Sequence, residues 1–282
     1  MAHPRILMLE GNTLATQKKA AALGVRSASE VYGEAVAAHF PDLPIDVLNG
    51  ADRDQHLPAG AQLSDYAGLV ISGSGLHAYD ETFEVRNQIE VVRAYAETGG
   101  PILGSCWGLQ IAVMAAGGSV ALSPNGREIG IARKIVLNEA GRAHPFFKGK
   151  RAVFDAPCIH YDEVSGMPEG AVLLASNDHS AVQAAIVPVG ASEVWAVQYH
   201  PEFDMAQLSM LMTLYGKAMI SEGFFNTEEE RAAHAALYDR LTTHADDASA
   251  AWRLGVDGDV LDDRHRRAEI INWVEACVLA AA

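Results

Sequence analysis

Three side chains in this 282-residue chain have the types and spacing for covalent catalysis. Cys106 lies in Gly104-Ser105-Cys106-Trp107-Gly108, between a short apolar run and the helix-forming stretch 109–116. G-x-C-x-G at a strand-to-helix turn is a nucleophile elbow: the turn presents the nucleophile, and the glycines let backbone pack where a Cβ would collide. The N-terminus of the following helix favours a thiolate, and the N–H of Trp107 points at a developing oxyanion. Taken alone, such a cysteine is more often a small buried hydrophobe. His200-Pro201-Glu202 changes that balance. Residues i and i+2 of an extended segment share a side, so Glu202 can reach the His200 imidazole and fix its tautomer. A thiol, an imidazole and an orienting carboxylate are the general arrangement for nucleophilic catalysis. On its own His-Pro-Glu describes equally well a solvated histidine before a helix; its pairing with the elbow gives it weight.

The elements that must bring these residues together read as alternating strands and helices. Residues 5–9, 45–48, 68–72 and 101–104 are expected as strands, the last two running into Gly73-Ser74-Gly75 and Cys106. Helices are predicted from Ser27 or Ser29 to about residue 40 and over 81–98. Residues 12–26 are polar and give no clear assignment. The pattern predicts an α/β fold with an open, mixed, mostly parallel sheet flanked by helices. Ligands of such sheets bind beyond the carboxyl ends of the strands, where Gly73 and Cys106 fall. Between 118 and 198, strand-like runs at 129–137, 152–154, 172–175, 181–187 and 194–199 follow one another, so this half is expected to be more β-rich and partly antiparallel. A helix is predicted over 203–221. Residues 1–222 are the expected main domain and 223–282 a helical C-terminal extension. In that extension Thr227 is the expected N-cap, with Glu230 as its capping-box partner. Helices are predicted at 228–243 and 264–280, with an acidic linker at 245–263.

Composition excludes several classes. A net charge of −15 argues against nucleic acid or an anionic membrane as the main partner. No apolar run reaches the roughly 18 residues of a membrane span. Cys106, Cys158 and Cys277 are too few for a disulfide framework and predict a reducing, cytoplasmic setting. No Cys/His cluster has zinc-ligand spacing, so neither metal nor cofactor is expected. Cys158 and His179 are read as structural.

In order and spacing these motifs resemble the class I (triad) glutamine amidotransferases, and between them the chain is similar to the glutaminase domain of GMP synthetase. The matching residues are Gly104 to Gln110 with trailing Gly117-Gly118, Ser72-Gly73-Ser74, and Gln198-Tyr199-His200-Pro201-Glu202. Arg127 to Gly130, Ile159 to Val164 and Ala175 to Ala184 match further segments, so the resemblance covers about residues 5–221. It implies a flavodoxin-like fold in which Cys106 attacks the γ-amide carbonyl of glutamine, His200 relays the proton and Glu202 orients His200. It implies oxyanion donors from the backbone of Trp107 and of the Gly73–Ser74 loop. The family commonly has Ser-Gly-Gly-Pro at that loop, so Ser74 stands where a second glycine is usual; a backbone donor survives that change if the conformation is tolerated. Gln110, His160 and Tyr161 match positions near the substrate, the last two through their backbone.

Glutaminase domains usually pass ammonia to a synthetase, and the chain has no phosphate-binding G-x-x-x-x-G-K-[ST] loop of its own. The expected function is hydrolysis of the γ-amide of glutamine, or of another γ-glutamyl amide, through a cysteine thioester. A synthetase partner subunit and a homodimer both stay open. The alternatives are a stand-alone γ-glutamyl peptide hydrolase and a non-catalytic binding module on the same fold. A cysteine α/β-hydrolase ranks lower, because there the acid precedes the histidine.

Overall fold

The computed structural model describes residues 4–280. Five short apolar segments, β1 (Ile6–Leu9), β2 (Ile45–Leu48), β3 (Gly68–Ile71), β4 (Ile102–Ser105) and β11 (Ser192–Val197), pair in parallel in the order β2-β1-β3-β4-β11. The sheet continues antiparallel through β10 (Ala184–Val189), β9 (Val172–Ser176), β6 (Glu128–Leu137) and β7 (Val153–His160), giving nine strands. A separate antiparallel pair joins β5 (Ser119–Leu122) to β8 (Asp162–Gly166). The mixed, mostly parallel core expected from the sequence is therefore present. The runs at 119–122 and 162–166 escaped the sequence reading because each is short and forms only against the other.

Helices α1 (Leu14–Ala21), α2 (Ala28–Ala37), α3 (Phe83–Ala96) and α4 (Trp107–Ala115) lie in the first half. The unassigned stretch 12–26 holds α1, capped by the Thr13 hydroxyl and carrying no buried residue, which explains its lack of an apolar stripe. Ser27 caps α2 with a full capping box to Glu30. Apolar residues of α3 and α4 pack on the face formed by Leu7, Leu9, Leu69 and Ile71. The opposite face, with Ile6, Met8, Val70 and Leu103, is covered by Tyr32 of α2 and by Ile270, Trp273, Val274 and Val278 near the chain's end.

The short α5 (Glu139–Ala143) precedes a third group of helices. The single helix expected over 203–221 is two, α6 (Met205–Leu214) and α7 (Gly216–Ser221), broken at Tyr215 where ψ is 9° and a weak helix former follows. Helix α8 (Glu228–Thr243) matches its expected span; Thr227 accepts from Glu230 N–H, while the Glu230 carboxylate turns to Asn226 N–H, one residue earlier than a capping box. The acidic linker is itself helical: α9 (Ala248–Leu254), α10 (Gly258–Leu261) and α11 (Asp263–Arg266) are capped by the side chains of Asp247, Asp257 and Asp262. The final helix begins as α12 (Ala268–Trp273) and loosens into a π-helical turn over Val274–Leu279. Among the described residues no helix is long and apolar enough to cross a membrane.

Candidate active site

Three neighbouring parallel strands, β3, β4 and β11, end on the same edge and deliver Gly73, Cys106 and His200 to one place. Cys106 takes φ 53° and ψ −99°, a conformation costly for a non-glycine residue and held by its surroundings. Its N–H donates to Val197 O at 2.8 Å, which ties the elbow to β11. A Cβ on Gly108 would lie 2.6 Å from Ile71 O, so only glycine lets α4 start this close to β3. The Trp107 indole N–H donates to Gln88 Oε1 at 2.9 Å, locking the elbow to α3.

His200 is buried, and its Nδ1 lies 2.6 Å from Glu202 Oε1. The Ser105 hydroxyl reaches both oxygens of the same carboxylate, at 3.1 and 3.2 Å. Phe203 stacks flat on the imidazole, with centroids 4.0 Å apart and planes 4° apart. Burial opposes a charge on His200, but the negative charges of Glu202 and Cys106 outweigh it and push its pKa up to about 10. Its Nε2 is buried without a hydrogen-bond partner. The Cys106 thiol lies 3.4 Å from Ile159 O.

The loop after β3 closes the other side. Gly73 approaches His200 so closely that a Cβ there would lie 2.7 Å from the imidazole Cε1. Ser74 does not take a positive φ, and its hydroxyl donates to Gly11 O at 2.8 Å. Asn12 bridges the loop by donating to Gly73 O and accepting from Gly75 N–H.

All nine residues singled out in the sequence meet here, in differing ways. Gln110 donates to Asp162 O at 3.1 Å and lines the cavity. The His160 ring is turned into a buried cluster, with Nε2 2.8 Å from Glu128 Oε2 and Nδ1 3.1 Å from Asp162 O. The Tyr161 ring lies under the Arg127 guanidinium, 4.7 Å from its centroid, and Arg127 is held by Glu222. The cavity over Cys106 holds about 400 Å³, and its wall adds Phe203, Leu211, Leu214 and Tyr215. Sequence reasoning gave no role to Ser105, Asn12, Gln88 or Phe203. Phe203, next to the His-Pro-Glu motif, had a local signal; the others touch the site through pairings distant in sequence.

One side-chain cluster could suit a cation: Glu128, His160 and His179 bring their ligand atoms within 4.8 Å of one another. Its carboxylate is already occupied, accepting from Gln183 and Asn177 amides at 2.8 Å each as well as facing His160. Burial works against the Glu128 charge, yet these donors hold its carboxyl below the usual range. The cluster reads as a hydrogen-bonded support under β6 and β7. Burial pushes the Cys158 thiol well up, in keeping with an inert core cysteine.

The glutamine amidotransferase class I family model matches residues 42–218, well over half of the chain. The chain belongs to the class I glutamine amidotransferase family. It is similar along nearly its whole length to a γ-glutamyl-L-1-hydroxyisopropylamide hydrolase from a Pseudomonas species, with 29% identity over 285 residues, 99% of this chain and 94% of that protein. A GMP synthase from Bacteroides fragilis is 35% identical over 136 residues, 48% of this chain but only 24% of that enzyme. Among solved structures, a glutamine amidotransferase from Methylobacillus flagellatus has the same fold, with a TM-score of 0.64, 20% identity and coverage of 97% of this chain and 94% of that one. The family model's match thus ends before α8, while the likenesses to the Pseudomonas hydrolase and to the Methylobacillus flagellatus amidotransferase structure both extend over the C-terminal helices.

Proposed function

We propose that the protein hydrolyses γ-glutamyl amides with Cys106 as nucleophile, His200 as proton carrier and Glu202 as the residue that orients it. The observation that carries this reading is the strained Cys106 elbow facing a buried His200–Glu202 pair at the floor of one cavity. Cys106 gives its proton to His200, whose raised pKa favours the imidazolium, and reacts as the thiolate. The thiolate attacks the γ-carbonyl, and the charge forming on its oxygen is taken by N–H groups of Trp107 and the Gly73–Ser74 loop. His200 gives its proton to the departing amine, and the C–N bond breaks to leave a γ-glutamyl thioester. The now neutral His200 takes a proton from water, whose hydroxide displaces Cys106 and releases glutamate. Gln110, with the backbone of His160 and Tyr161, is assigned to the glutamyl end.

The departing amine is larger than ammonia in this reading. A cavity of about 400 Å³ with an apolar wall of Phe203, Leu211 and Leu214 is in the range of pockets for whole small molecules, about 300–1,000 Å³. The Pseudomonas relative is named for a γ-glutamyl amide of a small amino alcohol, and it spans the same length of chain. Delivery of ammonia to a synthetase is the second reading, supported by the partial match to GMP synthase. The deciding assay follows amine or ammonia release by purified protein from glutamine, γ-glutamyl alkylamides and γ-glutamyl peptides. Release from alkylamides well above glutamine is expected, with none by Cys106→Ala. Preference for peptides would move the assignment to a peptide hydrolase, silence on every substrate to a partner-dependent subunit. Equal turnover by Cys106→Ala would remove the nucleophile.

A further inference from the structure

A second buried carboxylate lies behind the candidate triad, and it comes from the end of the chain. Glu269 on α12 is fully buried, accepts a hydrogen bond from the Tyr199 hydroxyl, and faces Lys150 Nζ at 3.0 Å. The Lys150 side chain is also fully buried; its ammonium sits 4.4 Å from the Phe154 ring centroid, and Glu269 Oε2 has no hydrogen-bond partner. A buried ion pair so sparsely satisfied is a poor source of stability, since the attraction of its charges little more than offsets their desolvation.

What the pair touches is the residue before His200. Tyr199 and His200 point to opposite sides of their segment. The Tyr199 ring is buried against Phe154, with centroids 5.7 Å apart and planes at 74°, and its hydroxyl ends on Glu269. On the same backbone, His200 N–H donates to Pro157 O at 2.8 Å. The short stretch that carries the imidazole is therefore pinned twice, once by β7 and once by the C-terminal helix.

We propose that Glu269 is a positioning residue: by anchoring Tyr199 it fixes His200 against Cys106, so the C-terminal segment takes part in turnover as well as in packing. The assignment rests on the hydrolase reading above. The same Glu269 oxygen, Oε1, accepts from the Tyr199 hydroxyl and faces Lys150 Nζ at 3.0 Å, so the tyrosine is tied to the ion pair.

Tyr199→Phe removes only the hydroxyl and leaves the ring and the ion pair in place. Lys150→Met combined with Glu269→Leu removes both charges and the acceptor; replacing a buried pair by apolar residues is often neutral for stability. Each is expected to lower kcat on a γ-glutamyl amide by about tenfold, a fraction of the roughly 10²-fold that a 1 Å misplacement can cost, with KM unchanged. Combined, they should be no worse than either alone, because they sever one link. The rate of Cys106 alkylation by iodoacetamide against pH, located by mass spectrometry, gives a readout that needs no substrate, and both variants should shift it. A wild-type protein that turns over no γ-glutamyl amide would sink the hydrolase reading and leave the alkylation test standing. Folded variants with wild-type kcat and an unchanged alkylation profile would overturn the role of Glu269, as would strictly additive losses.

Discussion

The two sides of the site are held by different physics. The Cys106 side is steric: a left-handed φ at the nucleophile, and Gly108 against Ile71 O with no room for a methyl group. The His200 side is electrostatic: Glu202 at 2.6 Å, Ser105 behind it, and the Lys150–Glu269 pair one residue away on the opposite face. Backbone sterics do not titrate, whereas buried charges do. Volume changes should therefore break the first side at every pH, and charge changes should break the second in a pH-dependent way.

The steric side is expected to lose stability and rate together. Gly108→Ala sets a Cβ against backbone, 2.6 Å from Ile71 O, and neither β3 nor α4 has a flexible side chain to move aside. Overpacking of this kind costs about 1–3 kcal/mol, and displacing the nucleophile by about 1 Å can cost 10²-fold in rate. A lowered melting temperature and a kcat loss that is the same from pH 6 to 9 would support the steric account. Full activity would break it.

On the electrostatic side Glu202→Gln keeps the shape and removes the charge. In triads of this type, loss of the orienting carboxylate costs up to about 10⁴ in kcat. The pH dependence carries more information. His200 is raised in the folded protein from its ordinary value near 6.5 to about 10, so it binds a proton more tightly when folded. Its contribution to stability is then fully present below about pH 6.5 and is lost as pH rises through about 10. Leaving-amine protonation by His200 should fade over the same range. In Glu202→Gln both limbs should move to lower pH, measured by thermal unfolding and by kcat between pH 6 and 10. A variant whose alkaline limb stays in place would show that Cys106 alone sets the His200 proton affinity.

This contrast also explains what could be read from the sequence. The elbow and His-Pro-Glu are contiguous, so Cys106, His200 and Glu202 announce themselves by local spacing. The parallel strands were legible because each is a short apolar run; β5 and β8 were not, because each exists only by pairing with the other. Ser105 on Glu202, Gln88 on Trp107 and Lys150 on Glu269 join residues far apart in the chain, and no local pattern marks them. The acidic linker did carry a local signal: Asp247, Asp257 and Asp262 each start a helix, which a reading of net charge obscures. The sequence likewise gave no sign that Trp273 and Val278 sit in one core with β1 and β3.

The smallest predicted effect separates stability of the C-terminal helices from positioning by Glu269. Thr227 caps α8, accepting from Glu230 N–H at 3.2 Å, on an exposed surface away from the cavity. Thr227→Ala removes that cap and should cost about 1 kcal/mol. In a chain of this size that corresponds to a fall of about 2–4 °C in melting temperature. Because the Tyr199–Glu269 contact is untouched, kcat should be unchanged, in contrast to Tyr199→Phe. A kcat that falls with Thr227→Ala in step with melting temperature would mean that loosening the C-terminal helices is enough to disturb His200. The division between steric and electrostatic support would then have to include α8 on the histidine side.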